Sequence, residues 1–323
     1  MAQSVPDDLP EELETYEIGV LQEMIENSTQ GERLVIPPGI YEMEPDWRIG
    51  YLDINHSLEL VADPVGSVII RKVWGDHEGC VHIRSSDILF SSLVLEDMCI
   101  VISDEEAQRN NNITIEDTIF RSVYLEESNW FGASTEINII REHLVIQNCQ
   151  FTGSWASNHI WNYKDVLFKG NVIEGGKFKF REVTECIIAD NIFTGQNASV
   201  YLSNDCLNIT ICNNRFENCE TCLSVRHPND DVNNIKVFDN DFIDSDVGIE
   251  IFRGCPNDYE KDNNFNNTNH NIYDGDGVHR EGDDPLEEGW FYGVVSIFIL
   301  VFILGSVVFV GYLFKNFRKK KKD

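Results

Sequence analysis

Residues 188–193 read Ile-Ala-Asp-Asn-Ile-Phe. Nearly the same string returns as Ile-Cys-Asn-Asn-Arg-Phe (211–216) and Val-Phe-Asp-Asn-Asp-Phe (237–242). Looser versions precede it as Phe-Lys-Gly-Asn-Val-Ile (168–173) and Ile-Gln-Asn-Cys-Gln-Phe (146–151). Recurrence at a nearly fixed interval means stacked, similar units. With Asn171, Asn191, Asn214 and Asn240 in register, Cys149 and Thr118 fall on the same rung, and the steps run from 20 to 31 residues. Three positions before each rung stand Ile115, Ile146, Phe168, Ile188, Ile211 and Val237. Two positions after stand Phe120, Phe151, Ile173, Phe193, Phe216 and Phe242. Apolar residues at alternate positions signal a strand. The Asn between strand and aromatic reads as a tight bend, because Asn tolerates the left-handed backbone conformation.

A second strand recurs in each unit, with Phe178 and Phe180, Val200 and Leu202, Leu223 and Val225, and Ile249 and Ile251 as its inward residues. A unit of this size cannot bury its apolar face alone, whereas a stack of them can. The Leu-rich consensus of leucine-rich repeats is absent, and the period of two excludes tandem helical repeats.

The N-terminus adds to the pattern. Over residues 10–27, Leu13, Ile18, Leu21 and Ile25 have helical spacing. Gly-Glu-Arg-Leu-Val-Ile-Pro-Pro-Gly-Ile-Tyr (31–41) follows. With these features the chain resembles the right-handed parallel β-helix proteins of the pectate-lyase-like superfamily, over about residues 10–255. The resemblance implies an all-β solenoid whose open end is covered by a short capping helix, since an unpaired sheet edge must be covered. That superfamily holds many carbohydrate-active and carbohydrate-binding members, so the resemblance implies a fold more than an activity.

The 323 residues carry a formal net charge of −30 at pH 7. Six of the 25 bases lie in the tail at residues 315–323 beside one acid, leaving 19 bases against 54 acids before it. Such a surface repels nucleic acid and fits a halophilic protein, whose charges are screened by salt. Trp290 to Phe314 is a run of 25 residues without a charge, long enough to cross a bilayer as one helix. Acids precede it and the Lys/Arg cluster follows, which places the tail in the cytoplasm and the β-helix outside. Residues 1–10 have no signal-peptide character, which sits poorly with export. The expected order is an N-terminal segment and capping helix (1–30), the parallel β-helix (31–255), an Asn/Asp-rich stalk (256–289), a transmembrane α-helix (290–314) and a basic cytoplasmic tail (315–323).

Nine cysteines leave at least one unpaired. Structural roles are expected for them, with a disulfide across one coil from Cys206 or Cys212 to Cys219 or Cys222 as a candidate. Asn-x-Ser/Thr sequons stand at Asn27, Asn55, Asn112, Asn197, Asn208 and Asn266 and permit glycosylation if the domain is outside. Asp274-Gly-Asp-Gly277 lacks the remainder of a calcium loop. No metal site and no cofactor are expected.

Two constellations carry candidate chemistry. Threading the second strand places Lys179, Tyr201, Ser224 and Glu250 in one outward column. Arg181, Ser203, Arg226 and Phe252 fall in the next, and Glu182, Asn204, His227 and Arg253 in a third. Trp155, His159 and Trp161 extend the stripe. Rings cover the apolar face of sugars and Arg forks pair carboxylates, so Lys179, Arg181, Tyr201, Arg226 and Arg253 are candidate binders of an acidic polysaccharide. The plain alternative is that these bases neutralise Glu182, Glu185, Glu220 and Glu250. The second constellation is the column Asp117, Asn148, Asp190, Asn213 and Asp239, where Asp190 and Asp239 lie two coils apart. Paired carboxyls at about such a spacing serve inverting glycosidases, yet any two acids two coils apart share it. The motif set of polygalacturonase-type enzymes is not found. The expected function is therefore a non-enzymatic, membrane-anchored surface protein for adhesion, glycan binding or a virus-type spike. The alternative is an anchored polysaccharide lyase or glycoside hydrolase on acidic glycans, with Arg181 or Arg226 holding a uronate and Glu250 or His227 moving the proton.

Overall fold

The computed structural model describes residues 13–43, 51–73, 80–102, 111–127, 141–153, 157–202, 206–226, 234–252, 259 and 261–274. The span 290–314 and the tail lie outside the described residues. Among the described residues no helix is long and apolar enough to cross a membrane.

Successive strands are handed in turn to three faces of a coil. One face is an eleven-stranded sheet, here sheet A, and the second is the nine-stranded sheet B. The third is split into sheet C, with four strands between Tyr51 and Glu127, and sheet D, with six strands between Ser157 and Asp274. Neighbouring strands are parallel and one coil apart, as Leu144 opposite Val166 and Phe193 opposite Phe216 show. The apolar rungs fill the interior. Phe193, Phe216, Phe242 and Phe265 form a continuous stack, with ring centroids 4.7, 5.2 and 4.9 Å apart and planes within about ten degrees of parallel. All eight inward residues expected of the second strand are buried.

The asparagine rungs are bonded differently from the expected bends. The left-handed backbone falls one residue earlier, at Asp117, Asn148, Gly170, Asp190, Asn213 and Asp239, with φ between 48° and 67°. At Gly170 a Cβ would also stand 2.8 Å from the Asn148 amide oxygen, which would have to shift. This bend turns Asn171, Asn191, Asn214 and Asn240 inward, where they are buried. The backbone N–H of each donates to the Oδ1 of the asparagine one coil on, at 2.9–3.0 Å, and the last reaches Asn263. Each Nδ2 donates back to a carbonyl of the preceding coil, such as Ile188 O at 2.9 Å from Asn214. A buried turn needs partners for its backbone groups, and one amide side chain per coil supplies them.

The N-terminal helix is shorter than its spacing implies. It spans Ile18–Asn27, while Thr15–Glu17 forms a strand paired in parallel with Gly39–Met43. Thr15 and Tyr16 suit a strand, and Tyr16 stacks on Tyr41 at 5.3 Å. Ile18, Leu21 and Ile25 then close the end of the core. At the other end the solenoid continues past residue 255. Asn264–Asn266 pairs with Asp241–Ile243, and His270–Asp274 pairs with Val247–Phe252. Asparagines that read as stalk are coil residues there: Asn264, Asn267 and Asn269 donate to Asp241, Asp244 and Asp246 at 2.6–3.0 Å.

The expected disulfide is not formed, since Cys206, Cys212, Cys219 and Cys222 are all free thiols. Cys206, Cys219 and Cys222 are buried, whereas Cys212 lies half-exposed on the outside of sheet B. The bond that is present joins Cys80 to Cys99, which face each other in register on adjacent strands of sheet C.

Candidate functional site

The outer face of sheet D carries Lys179, Arg181 and Tyr201 of the candidate stripe on adjacent strands. Strand alternation in Lys177–Arg181 buries Phe178 and Phe180 and turns Lys177, Lys179 and Arg181 outward. The register places His159, Lys179, Tyr201, Ser224, Glu250 and Tyr273 in one column. Trp161 pairs with Arg181, and Arg226 with Phe252, in the next. The first column is thus the one read from the repeat, whereas Ser203, which would link Arg181 to Arg226 in the second, lies outside the described residues. The side chain of Arg226, together with Trp155, His227 and Arg253, lies outside the described residues.

The stripe has two chemically distinct ends. At the first, the Arg181 guanidinium lies over the Trp161 ring, 4.8 Å from its centroid. Lys179 stands between His159 and Tyr201 and has no ion-pair partner among the described residues. At the second, Glu250 is only 8% exposed although it points outward, and its Oε2 accepts a 3.0 Å hydrogen bond from the Ser224 hydroxyl. Three strand steps separate the ends, about 14 Å at ~4.8 Å each. The plain alternative holds in part. Arg181 Nε is 3.6 Å from Glu182, an exposed contact worth little. Glu185 meets Lys164 at 3.6 Å instead, and Glu250 bonds a hydroxyl rather than a base.

The joint between sheets C and D lies beside the basic end. Asn158 occupies the inward position that Phe178, Val200 and Leu223 fill on later rungs. It is fully buried, and its Oδ1 accepts from the Leu125 N–H at 3.0 Å. One side chain there replaces a strand ladder bond, which carries the coil from sheet C to sheet D.

The profile of the family described as "right handed beta helix region" matches residues 68–269. That is more than half of the chain. The chain belongs to the right-handed β-helix family. Characterised protein sequences give no match. Among solved structures, the A-module of the mannuronan C-5 epimerase of Azotobacter vinelandii is 10% identical, with a TM-score of 0.38 over 78% of this chain and 90% of that one. An alginate lyase is 13% identical, with a TM-score of 0.37 over 87% and 63% of the two chains. The surface adhesin PfbA of Streptococcus pneumoniae is 11% identical, with a TM-score of 0.32 over 80% and 86%. Likeness at these TM-scores carries no argument about this chain.

In this β-helix the acidic column has a conformational reason. Asp117, Asp190 and Asp239 sit at the left-handed bend, a position suited to Asp, Asn and Gly. Lys169 reaches Asp190 at 3.4 Å. Burial, with Glu116 adding to it, pushes the Asp117 carboxyl up, against a lowering hydrogen bond from Asn148. Burial pushes Cys149 up to about 12 and raises Cys186 and Cys222 strongly. Among the described residues no cluster of His, Cys, Asp and Glu is arranged to hold a metal ion. Sequence reasoning missed Tyr273, which extends the column beyond Glu250 but stands in a stretch whose composition reads as stalk. It also missed the Ser224–Glu250 bond, for which the shared column was the available signal.

Proposed function

We propose that this β-helix is a non-enzymatic, membrane-anchored surface protein that binds acidic glycans along the outer face of sheet D. The observation that carries the reading is the alternation of ring and cation over three consecutive rungs, from His159 and Trp161 through Lys179 and Arg181 to Tyr201. A sugar chain lying along the solenoid axis meets one rung every ~4.8 Å. The rings cover its apolar faces and the cations pair its carboxylates. In a chain this acidic, a concentrated basic stripe also selects for an anionic partner. Trp290 to Phe314 serves as the single-pass anchor, with the β-helix outside and the basic tail in the cytoplasm, a reading supported by the charge asymmetry around that run.

The test is a calorimetric titration of the full chain in detergent with a polyuronate and with a neutral polymer of equal length. Selective binding of the polyuronate that weakens with salt is expected. Lys179→Ala with Arg181→Ala should weaken it at least tenfold, about 1.4 kcal/mol. Equal affinity of the double variant for the polyuronate would sink the reading.

Glu250 favours a second reading, an anchored polysaccharide lyase or hydrolase, because a buried carboxyl on an outer face is a candidate proton carrier. The ~14 Å between its strand and that of Arg181 keeps the two from one sugar unit. Arg226, on the strand next to Glu250, is then the residue left to hold a uronate. Release of unsaturated or reducing ends from the polyuronate, abolished by Glu250→Gln, would establish this reading in place of the first.

A further inference from the structure

All six sequon asparagines lie among the described residues, and all six are exposed: Asn27, Asn55, Asn112, Asn197, Asn208 and Asn266. The buried asparagines of the ladder are never in a sequon, because the fold places an inward apolar residue two positions on, such as Phe193 after Asn191 and Phe216 after Asn214. Two of the sequons occupy a left-handed bend that recurs on the coils of sheet B, at Asp87, Asn112, His143, Asp165, Glu185 and Asn208. Asn112 and Asn208 immediately precede Ile113 and Ile209, which stand in the same register of sheet B. Both adopt the left-handed conformation, with φ of 57° and 55°. Asn55 is in the corner leading from sheet C into sheet B, and Asn27 ends the capping helix just before sheet B begins. Asn197 is in the opposite corner, where sheet A leads into sheet D, and Asn266 is the last residue of a sheet A strand. Asn55, Asn112 and Asn197 thus border the face made by sheets C and D, Asn208 and Asn266 lie in strands of sheets B and A, and none of the six lies on that face.

We propose that these exposed asparagines carry N-linked glycans that flank the sheet C and D face and leave its stripe open. The co-reactant is an oligosaccharide on a lipid diphosphate. The asparagine Nδ2 loses one proton and bonds to the sugar C1, while the bond from C1 to the diphosphate oxygen breaks and the lipid diphosphate leaves. No oxidation or reduction occurs. Transfer precedes folding, since the sequon hydroxyls of Ser57 and Ser199 are buried in the finished coil. The folded state then accommodates the product. Asn112 Nδ2 donates to Asp87 Oδ1 at 2.7 Å, and a glycosylated amide retains the one N–H that this bond needs. The Cys80–Cys99 bond points to the same oxidising compartment in which such transfer occurs.

The proposal rests on the β-helix lying outside, so the experiment reads both. The full chain is expressed in cultured eukaryotic cells, and intact cells are treated with protease or, separately, the isolated protein with peptide N-glycosidase in heavy-oxygen water. Protease should reach the β-helix. The glycosidase should lower its mass and leave heavy-oxygen aspartate at the sequon positions. Asn208→Gln and Thr210→Ala should each remove the same single step, since one deletes the acceptor and the other only its hydroxyl. A protease-accessible β-helix with no glycosidase shift would overturn the glycan proposal alone. A protected β-helix without a shift would overturn it together with the outside placement.

Discussion

The asparagine–phenylalanine corner and the outer face of sheet D occupy the same coils and obey opposite rules. In the corner the same residue type returns on each rung, as Asn191, Asn214 and Asn240 do with Phe193, Phe216 and Phe242. On the face the register is as strict, yet the column reads His159, Lys179, Tyr201, Ser224, Glu250, Tyr273. Repetition marks what the solenoid requires, because each rung must satisfy the same buried backbone groups and fill the same volume. Variation at fixed register marks what the solenoid leaves undetermined, and that is where a ligand can set the choice.

The sharpest way to break this contrast is in the ladder. Asn214 accepts from the Asn191 N–H and returns its own amide to the Ile188 carbonyl. Asn214→Ala strands both inside the core at roughly 1–3 kcal/mol each, so urea unfolding should show a loss of about 2–6 kcal/mol. A loss under about 1 kcal/mol would mean that the ladder is ornamental. Phe216→Ala comes next, at about 3–5 kcal/mol, for a fully buried ring stacked on both sides. The smallest effect belongs to the bend. The folded state raises the Asp117 carboxyl and so binds its proton more tightly than the unfolded chain does. Stability from this group is therefore greatest at low pH and falls as pH rises through the carboxylate range. Asp117→Asn, which keeps a residue suited to the left-handed bend, should gain a few tenths of a kcal/mol near pH 7 after solvent screening. That gain should vanish in acid, and a larger gain in acid would reverse the assigned sign.

Legibility followed the same division. The rungs, the inward residues and the outward columns could be read because alternation and period survive in the sequence. The bend was displaced by one residue, because Asn suits both a left-handed turn and a buried amide, and composition cannot say which. The coil at 261–274 read as stalk for a related reason. Asn264, Asn267 and Asn269 resemble disorder by type, whereas their partners Asp241, Asp244 and Asp246 are visible only once the register is fixed. Cys80 and Cys99 were not matched, since the early coils depart from the regular spacing that would have set them opposite each other. The site was legible as a column and opaque as chemistry: Arg181 over Trp161 and Glu250 beneath Ser224 depend on side-chain direction.

The most direct test of the central claim measures stability and polyuronate affinity together in two variants, Phe216→Ala and Lys179→Ala with Arg181→Ala. The outward pair should leave the unfolding free energy within about 0.5 kcal/mol of the parent and abolish most of the affinity. The core variant should lose several kcal/mol while its folded fraction binds as the parent does. A face variant that binds undiminished, or that unfolds as readily as the core variant, would contradict the division of labour between corner and face.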